Sequence, residues 1–444
     1  MPWQRRTRRW MWIVLVFTGT PLLAWLIFRS YAAGQEREAL AKLAPYGYRG
    51  SMDVVRELYP PPTPQENGMA LFAAAFQKLQ PATPKEAGII PFLGVEVKNL
   101  SVLPALDERS LEKANSVLAR NADALGLVEE ALMQARMPAA VDMQAPWALY
   151  EVLDRMKQLI ALLELRAVVA LQQQDYPAFN HDLELLLRYY VHLTRLPLFR
   201  SAHMVGSQFS DHARPLVQHA LARQCMPADR LLRMEMLLNE ADFASACRKY
   251  LVLQTAYRLG ESFVPRVFLQ LWEGSGIRDI QRARAMDFAA PLFQIKQKDI
   301  QFWWAELGST NALHLDRQEF SLANALRNDL GQDQKEQLKA EMLIEVMLRA
   351  LGATMAVERY RLDRGTLPTD LHALVPEYCP NIPIDPIDRE PLRYLASPEG
   401  FVVYGIGCDG KDGQGSLLEE KTFKYDSGDW PVRVTWARQT GAIP

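Results

Sequence analysis

At 444 residues, with 49% hydrophobic and 23% charged residues, the chain holds enough apolar material for two or three folded units and too much for a disordered polymer. Its formal net charge of -2 argues against nucleic-acid binding, which relies on clustered positive charge. Four cysteines, Cys225, Cys247, Cys379 and Cys408, show no Cys-x-x-Cys spacing, which removes support for a zinc ribbon or a thioredoxin-type redox site.

In chain order, residues 1–9 form a basic arm carrying Arg5, Arg6, Arg8 and Arg9, and residues 10–28 are free of charge up to Arg29. Nineteen such residues reach the length of a membrane span. With the basic flank before them they predict a transmembrane signal-anchor, a cytoplasmic N-terminus and a body exported to the periplasm, with Trp10, Trp12 and Trp25 suited to the interfaces. The competing reading is a cleaved signal peptide ending near Ser30, Tyr31, Ala32 and Ala33, against which the length of the apolar core counts. A helical stalk over 29–58 follows, then a Pro-rich linker and short helix over 59–104, beginning at Pro60, Pro61, Pro62 and Pro64.

Residues 105–336 read as an α-helical domain. Apolar density rises from Trp147, with a helix that ends at Gln172-Gln173-Gln174-Asp175 and a second that starts after Pro177 and carries Phe179, Leu183, Leu186, Leu187, Tyr190 and Val191. Such antiparallel pairs are the units of helical arrays, although no strict repeat period is present.

The last part, 337–444, changes character. Leu338, Met342, Val346, Ala350 and Thr354 fall four apart, with Leu343, Met347, Leu351 and Met355 beside them, which gives one apolar stripe along a helix. Gly365 and Pro368 stop that helix, and Pro376, Pro380, Pro383, Pro386 and Pro391 keep the following chain extended. Segments 392–395 and 401–406, joined by Ala396-Ser397-Pro398-Glu399-Gly400, predict an antiparallel hairpin. Val432, Val434 and Trp436 alternate with Arg433 and Thr435, predicting a third strand.

The run from Ala356 to Pro368, the Pro383-Ile-Asp385-Pro386 and Pro391-Leu-Arg-Tyr394 segments, and Tyr404-Gly-Ile-Gly407-Cys-Asp409-Gly410 resemble the C-terminal part of the major pseudopilin of type II secretion. The resemblance implies a small α+β head, a long helix followed by an antiparallel sheet, and in that family the closing loop binds calcium. Residues 29–336 separate the hydrophobic N-terminal helix from the head here, so the chain is not expected to polymerise as a pilin does. Taken whole, the order of segments also resembles uncharacterised membrane-anchored exported proteins of the planctomycete and verrucomicrobial kind. The expected fold is thus α+β, with an N-terminal transmembrane helix, a large α-helical hairpin domain and a small pseudopilin-like domain. The expected location is the bacterial inner membrane, single-pass.

For calcium, Asp409, Asp412 and Asp429 are the candidate ligands, with Asp426 as a further carboxylate, because a hard cation wants carboxylate and carbonyl oxygens on a loop that glycine lets turn tightly. The same Asp-Gly dipeptides serve equally as surface turns. Gly405, Gly407 and Gly410 match the letter of a dinucleotide fingerprint, but a loop rather than a helix follows them and Asp409 and Asp412 would repel phosphate, so no nucleotide is expected. Five of the seven histidines lie between His181 and His219 without a His-x-x-x-His pair; His181 and Glu184 share a helical face but lack two further ligands. Phe302, Trp303 and Trp304 suit core packing or a partner surface. Cys379 with Cys408, and Cys225 with Cys247, are possible disulfides, with buried thiols as the alternative. The functional expectation is a noncatalytic envelope protein that binds other proteins, as a structural component or an accessory to a type II secretion or pilus-like system. The alternative is an exported hydrolase or metal-dependent enzyme with a site assembled from scattered residues.

Overall fold

The computed structural model describes residues 3–46, 63, 68–90, 106–134, 148–194, 209–241, 279, 283, 286, 322–416 and 428–436, with the side chains of 3–18, 46, 148–154, 194, 210–211 and 322–341 outside that description. The chain divides into two compact units, Met1–Leu58 with Arg248–Gln297 and Ala305–Asp333, and Tyr59–Cys247 with Lys298–Trp304 and Gln334–Pro444. The described part is mostly helical with one three-stranded antiparallel sheet.

In the first unit, helix α1 runs over Trp3–Leu43 with Pro21 inside it. Among the described residues, no helix is long and apolar enough to cross a membrane. This overturns the transmembrane signal-anchor expected over 10–28, and with it the transmembrane part of the expected fold class and the single-pass inner-membrane, periplasmic placement. Of the expected span, the described side chains cover 19–28, up to the charge at Arg29. The other half of the expected span, 10–18, has side chains outside the described residues.

The second unit begins with α2 (Gly68–Lys78) and the single turn α3 (Pro84–Ala87), which opens on a capping box. Thr83 Oγ1 accepts from the Glu86 backbone N–H at 3.3 Å while Glu86 Oε2 accepts from the Thr83 N–H at 2.8 Å, so two orphan donors are satisfied reciprocally. Helices α4 (Glu108–Arg120) and α5 (Ala122–Met133) meet at the fully buried Asn121. Its Oδ1 accepts from Gln80 N at 2.8 Å and its Nδ2 donates to Gln80 O at 3.0 Å and Val117 O at 2.9 Å. An amide with four bonding positions is used here to join the end of α2 to a helix corner.

The predicted antiparallel pair is present as α6 (Ala148–Gln172) and α7 (Tyr176–Thr194). Gln174 takes φ 61°, and Asp175 Oδ1 accepts from Ala178 N at 3.1 Å, so the turn and the cap both come from the polar run between the apolar stretches. Leu159, Leu163, Phe179, Leu183, Leu186 and Leu187 are buried between the helices that pack around them. After a wide turn at Phe209–Ala213 come α8 (Arg214–Ala222) and α9 (Ala228–Leu238).

Helix α10 spans Leu322–Arg364. Its described stripe, Met342, Leu343, Val346, Met347, Ala350, Leu351, Thr354 and Met355, is buried to within 1%. Gly365, at φ 73°, ends it, as only a residue without Cβ adopts that conformation freely. The sheet has the order β1 (Arg393–Ser397), β2 (Gly400–Gly405), β3 (Trp430–Thr435). Arg393 faces Tyr404 and Ser397 faces Gly400 across the hairpin, and Phe401 faces Val434 on the other side. The third strand starts two residues earlier than its alternation suggests.

All six residues of β2 are buried, which a half-buried strand would not show. Both faces are covered. A Cβ on Gly405 would lie 2.6 Å from Val346 Cγ1 of α10, and one on Gly415 would lie 3.3 Å from Tyr404 Cδ1 and 3.4 Å from Val402 Cγ1. The helix therefore covers one face, while the loop after β2 folds back over the other. On the outer edge of β3, Arg214 Nη1 donates to Pro431 O at 3.1 Å and Gln218 Nε2 to Arg433 O at 2.8 Å. Strand carbonyls that would otherwise lack a ladder partner are met by α8. The helical hairpins and the sheet thus belong to one packed unit.

Candidate functional site

The closing loop, 407–416 with 428–430, holds the three aspartates picked from the sequence. Asp409 Oδ1 accepts from Lys411 N at 3.2 Å and its Oδ2 from Gly428 N at 3.4 Å. Asp412 Oδ1 accepts from Tyr404 Oη at 3.1 Å and Gln414 N at 2.8 Å, and its Oδ2 lies 3.8 Å from Arg393 Nε. Asp429 is 1% exposed, and its Oδ2 accepts from Gly415 N at 2.7 Å while Oδ1 is buried without a hydrogen-bond partner. Burial raises the Asp429 carboxyl above its ordinary range, and the charges of Asp412 and Asp409 add to that.

A calcium shell needs six to eight oxygens. Five of the six carboxylate oxygens here face amide hydrogens, a phenol or a guanidinium, and one is left. Among the described residues, no group of three His, Cys, Asp or Glu side chains is placed to hold a metal ion. The described residues in this arrangement do not by themselves make a calcium shell. Asp426 lies outside the described residues. After Gly410, at φ 68°, the chain continues as loop through Ser416.

What the sequence did not single out is the cation at the centre of this region. Arg393, the first residue of β1, donates from Nη1 to Asp385 Oδ2 at 3.0 Å and to Asp388 Oδ1 at 3.4 Å, and pairs through Nη2 with Asp388. Asp385 is fully buried; its Oδ1 accepts from Ile387 N and its Oδ2 from Ile406 N, both at 2.8 Å. The Asp385–Pro386 step in the Pro-rich segment was the only sequence signal for it.

A cleft of ≈ 690 Å³ lies between α9, α10 and the Pro-rich segment, lined by Glu235, Glu345, Arg349, Cys379, Asp385 and Arg389 among others. Its acids are committed to partners: Glu235 to Arg359, Glu345 to Arg349 and Asp385 to Arg393. Burial raises the Cys379 thiol, and the neighbouring Glu235 charge acts in the same direction. A thiol kept protonated is a weak nucleophile. Burial likewise raises Glu235, against the opposing pull of Arg359. No disulfide joins Cys225, Cys379 and Cys408, so the suggested bridge between Cys379 and Cys408 is not formed; Cys247 lies outside the described residues.

The histidines are drawn into helix packing. His181 Nε2 lies 2.9 Å from Glu129 Oε1, while Glu184 pairs instead with Arg188 at 2.9 Å and Arg230 at 3.2 Å. His212 Nδ1 lies 2.9 Å from Glu164 Oε2, and Tyr190 Oη donates to Glu164 Oε1 at 3.4 Å. Asp182, 2% exposed, receives Arg166 Nε at 3.0 Å. Apart from Glu184–Arg188 within α7, these are cross-helix ties between α5, α6, α7, α9 and the turn before α8. Phe302, Trp303 and Trp304 lie outside the described residues.

No family model, no curated protein and no solved structure matches the chain.

Proposed function

We propose that this chain is a noncatalytic protein-binding component whose C-terminal α+β part resembles the head of the major pseudopilin, acting as an accessory to a type II secretion or pilus-like assembly. The observation that supports it most is the arrangement of α10 and the sheet: a long helix whose buried stripe carries an antiparallel hairpin and third strand, closed by a loop that covers the sheet. The buried acids point the same way. Glu235, Asp182 and Asp385 are each held by an arginine from another element, Arg359, Arg166 and Arg393, which is how charges serve as ties between elements rather than as acids and bases.

Affinity capture of the tagged full-length chain from its native cells, after mild crosslinking, tests this. Pseudopilins or their assembly platform enriched over an untagged control are expected. Capture of the chain alone, or with proteins unrelated to secretion, overturns the proposal.

A further inference from the structure

The resemblance implies calcium in the closing loop, and the described residues there do not fit it. From that disagreement we infer that Arg393 takes the place of a metal: its guanidinium is the internal cation that ties the Pro-rich segment, β1 and the closing loop together. The inference rests on the pseudopilin resemblance only for the comparison with calcium, and its test involves no partner.

Three carboxylates from two separate segments converge on one side chain. Asp385 and Asp388 come from the Pro-rich segment, and Asp412 comes from the loop that covers β2. A guanidinium offers five N–H donors in a fixed plane, so it can serve several carboxylates at once, as a cation with several oxygen ligands does. Arg393 uses Nη1 on Asp385, Nη1 and Nη2 on Asp388, and turns Nε towards Asp412. It is one-fifth exposed, 21%, and Asp385 is wholly buried, so the charges meet where water screens them poorly.

The partners of these carboxylates extend the tie. Asp385 Oδ2 also receives the Ile406 N–H at the end of β2, and Asp412 Oδ1 receives the Tyr404 hydroxyl, the cross-strand neighbour of Arg393. At the far end of the loop, Arg433 Nη2 donates to Gly415 O at 2.8 Å. The covering loop is thus pinned by arginines of β1 and β3 and by backbone amides, with five of the six carboxylate oxygens of Asp409, Asp412 and Asp429 already facing a donor.

The experiment uses the full-length protein, as wild type, Arg393→Gln and Asp412→Asn. Melting is followed in chelator and in about 10 mM calcium, above the weak end of protein calcium sites at about 1 mM. Limited trypsin digestion is followed in parallel by the appearance of fragments that end at the exposed Lys411. The wild type is expected to melt at the same temperature in both solutions. Arg393→Gln is expected to melt several degrees lower and to be cut after Lys411 several-fold faster, with calcium restoring neither. Asp412→Asn, which leaves Asp385 and Asp388 with Arg393, is expected to be cut faster with little change in melting, and it carries the test if Arg393→Gln fails to fold. A wild-type melting temperature that rises with calcium overturns the inference. So does cleavage after Lys411 at the wild-type rate in both variants.

Discussion

Replacing Arg359 by Met tests how the helical layer is fastened to α10. Arg359 pairs with Glu235 of α9 across elements far apart in sequence, and the two side chains are 12% and 10% exposed. Removing one partner of a buried pair leaves an uncompensated charge and costs about 3–5 kcal/mol; the residual exposure places this pair near the lower end, about 3 kcal/mol at pH 8. At roughly 2 °C per kcal/mol for a unit of this size, the melting temperature falls by about 6 °C. The sign with pH follows from Glu235. Burial already raises its folded pKa above the unfolded value, so its contribution is most favourable at low pH and is lost as pH rises through the interval between the two. Without Arg359 that interval widens, so the deficit at pH 5 is smaller than at pH 8. Glu235→Gln in the same chain recovers part of the loss, because no charge is then stranded. Denaturant unfolding of the four members of the cycle at pH 5 and pH 8 measures all of this. A deficit equal at both pH values and unchanged by Glu235→Gln would refute the reasoning.

Gly400→Ala places a Cβ 1.9 Å from Val434 O at a φ of 150°, so the backbone of β3 must move; a loss above about 3 kcal/mol is expected in denaturant unfolding, and wild-type stability would contradict the tight hairpin. Leu351→Ala removes a fully buried side chain from the α10 stripe and costs about 2–5 kcal/mol by the same measurement; a cost under about 1 kcal/mol would mean the stripe is not packed. Arg214→Leu leaves the Pro431 carbonyl without its donor, at about 1–3 kcal/mol, and hydrogen exchange across 430–435 accelerates; unchanged exchange would show that α8 does not hold the strand.

Much of the architecture could be read because it depends on local period and local stops. The stripe from Met342 to Met355 is a spacing of three and four, the turn at Gln174 and Asp175 is polar residues between apolar runs, and the hairpin from Arg393 to Gly405 is two apolar segments around Pro398 and Glu399. The docking of α8 on β3 could not be read, since Arg214 and Pro431 stand 217 residues apart and nothing local marks either as a partner. Burial of both faces of β2 was equally hidden, because it depends on Gly415 bringing the loop back over Val402 and Tyr404. The sequence singled out the acids of the closing loop and not the cation that meets one of them. Asp409, Asp412 and Asp429 were chosen as acids on a Gly-rich turn, whereas the organising group is a cation, Arg393, supplied by a strand. A carboxylate in sequence shows its charge and not which donor will meet it. The expected span over 10–28 is overturned because no helix among the described residues is long and apolar enough to cross a membrane.

The most direct test of the proposed role is equilibrium binding of the purified full-length chain to the purified major pseudopilin of its own cells, measured by biolayer interferometry with an unrelated exported protein as control. Saturable binding in the micromolar range, absent from the control, is the predicted result. Failure to bind at concentrations up to about 1 mM, where the standard free energy of association is already as weak as about -4 kcal/mol, would contradict it.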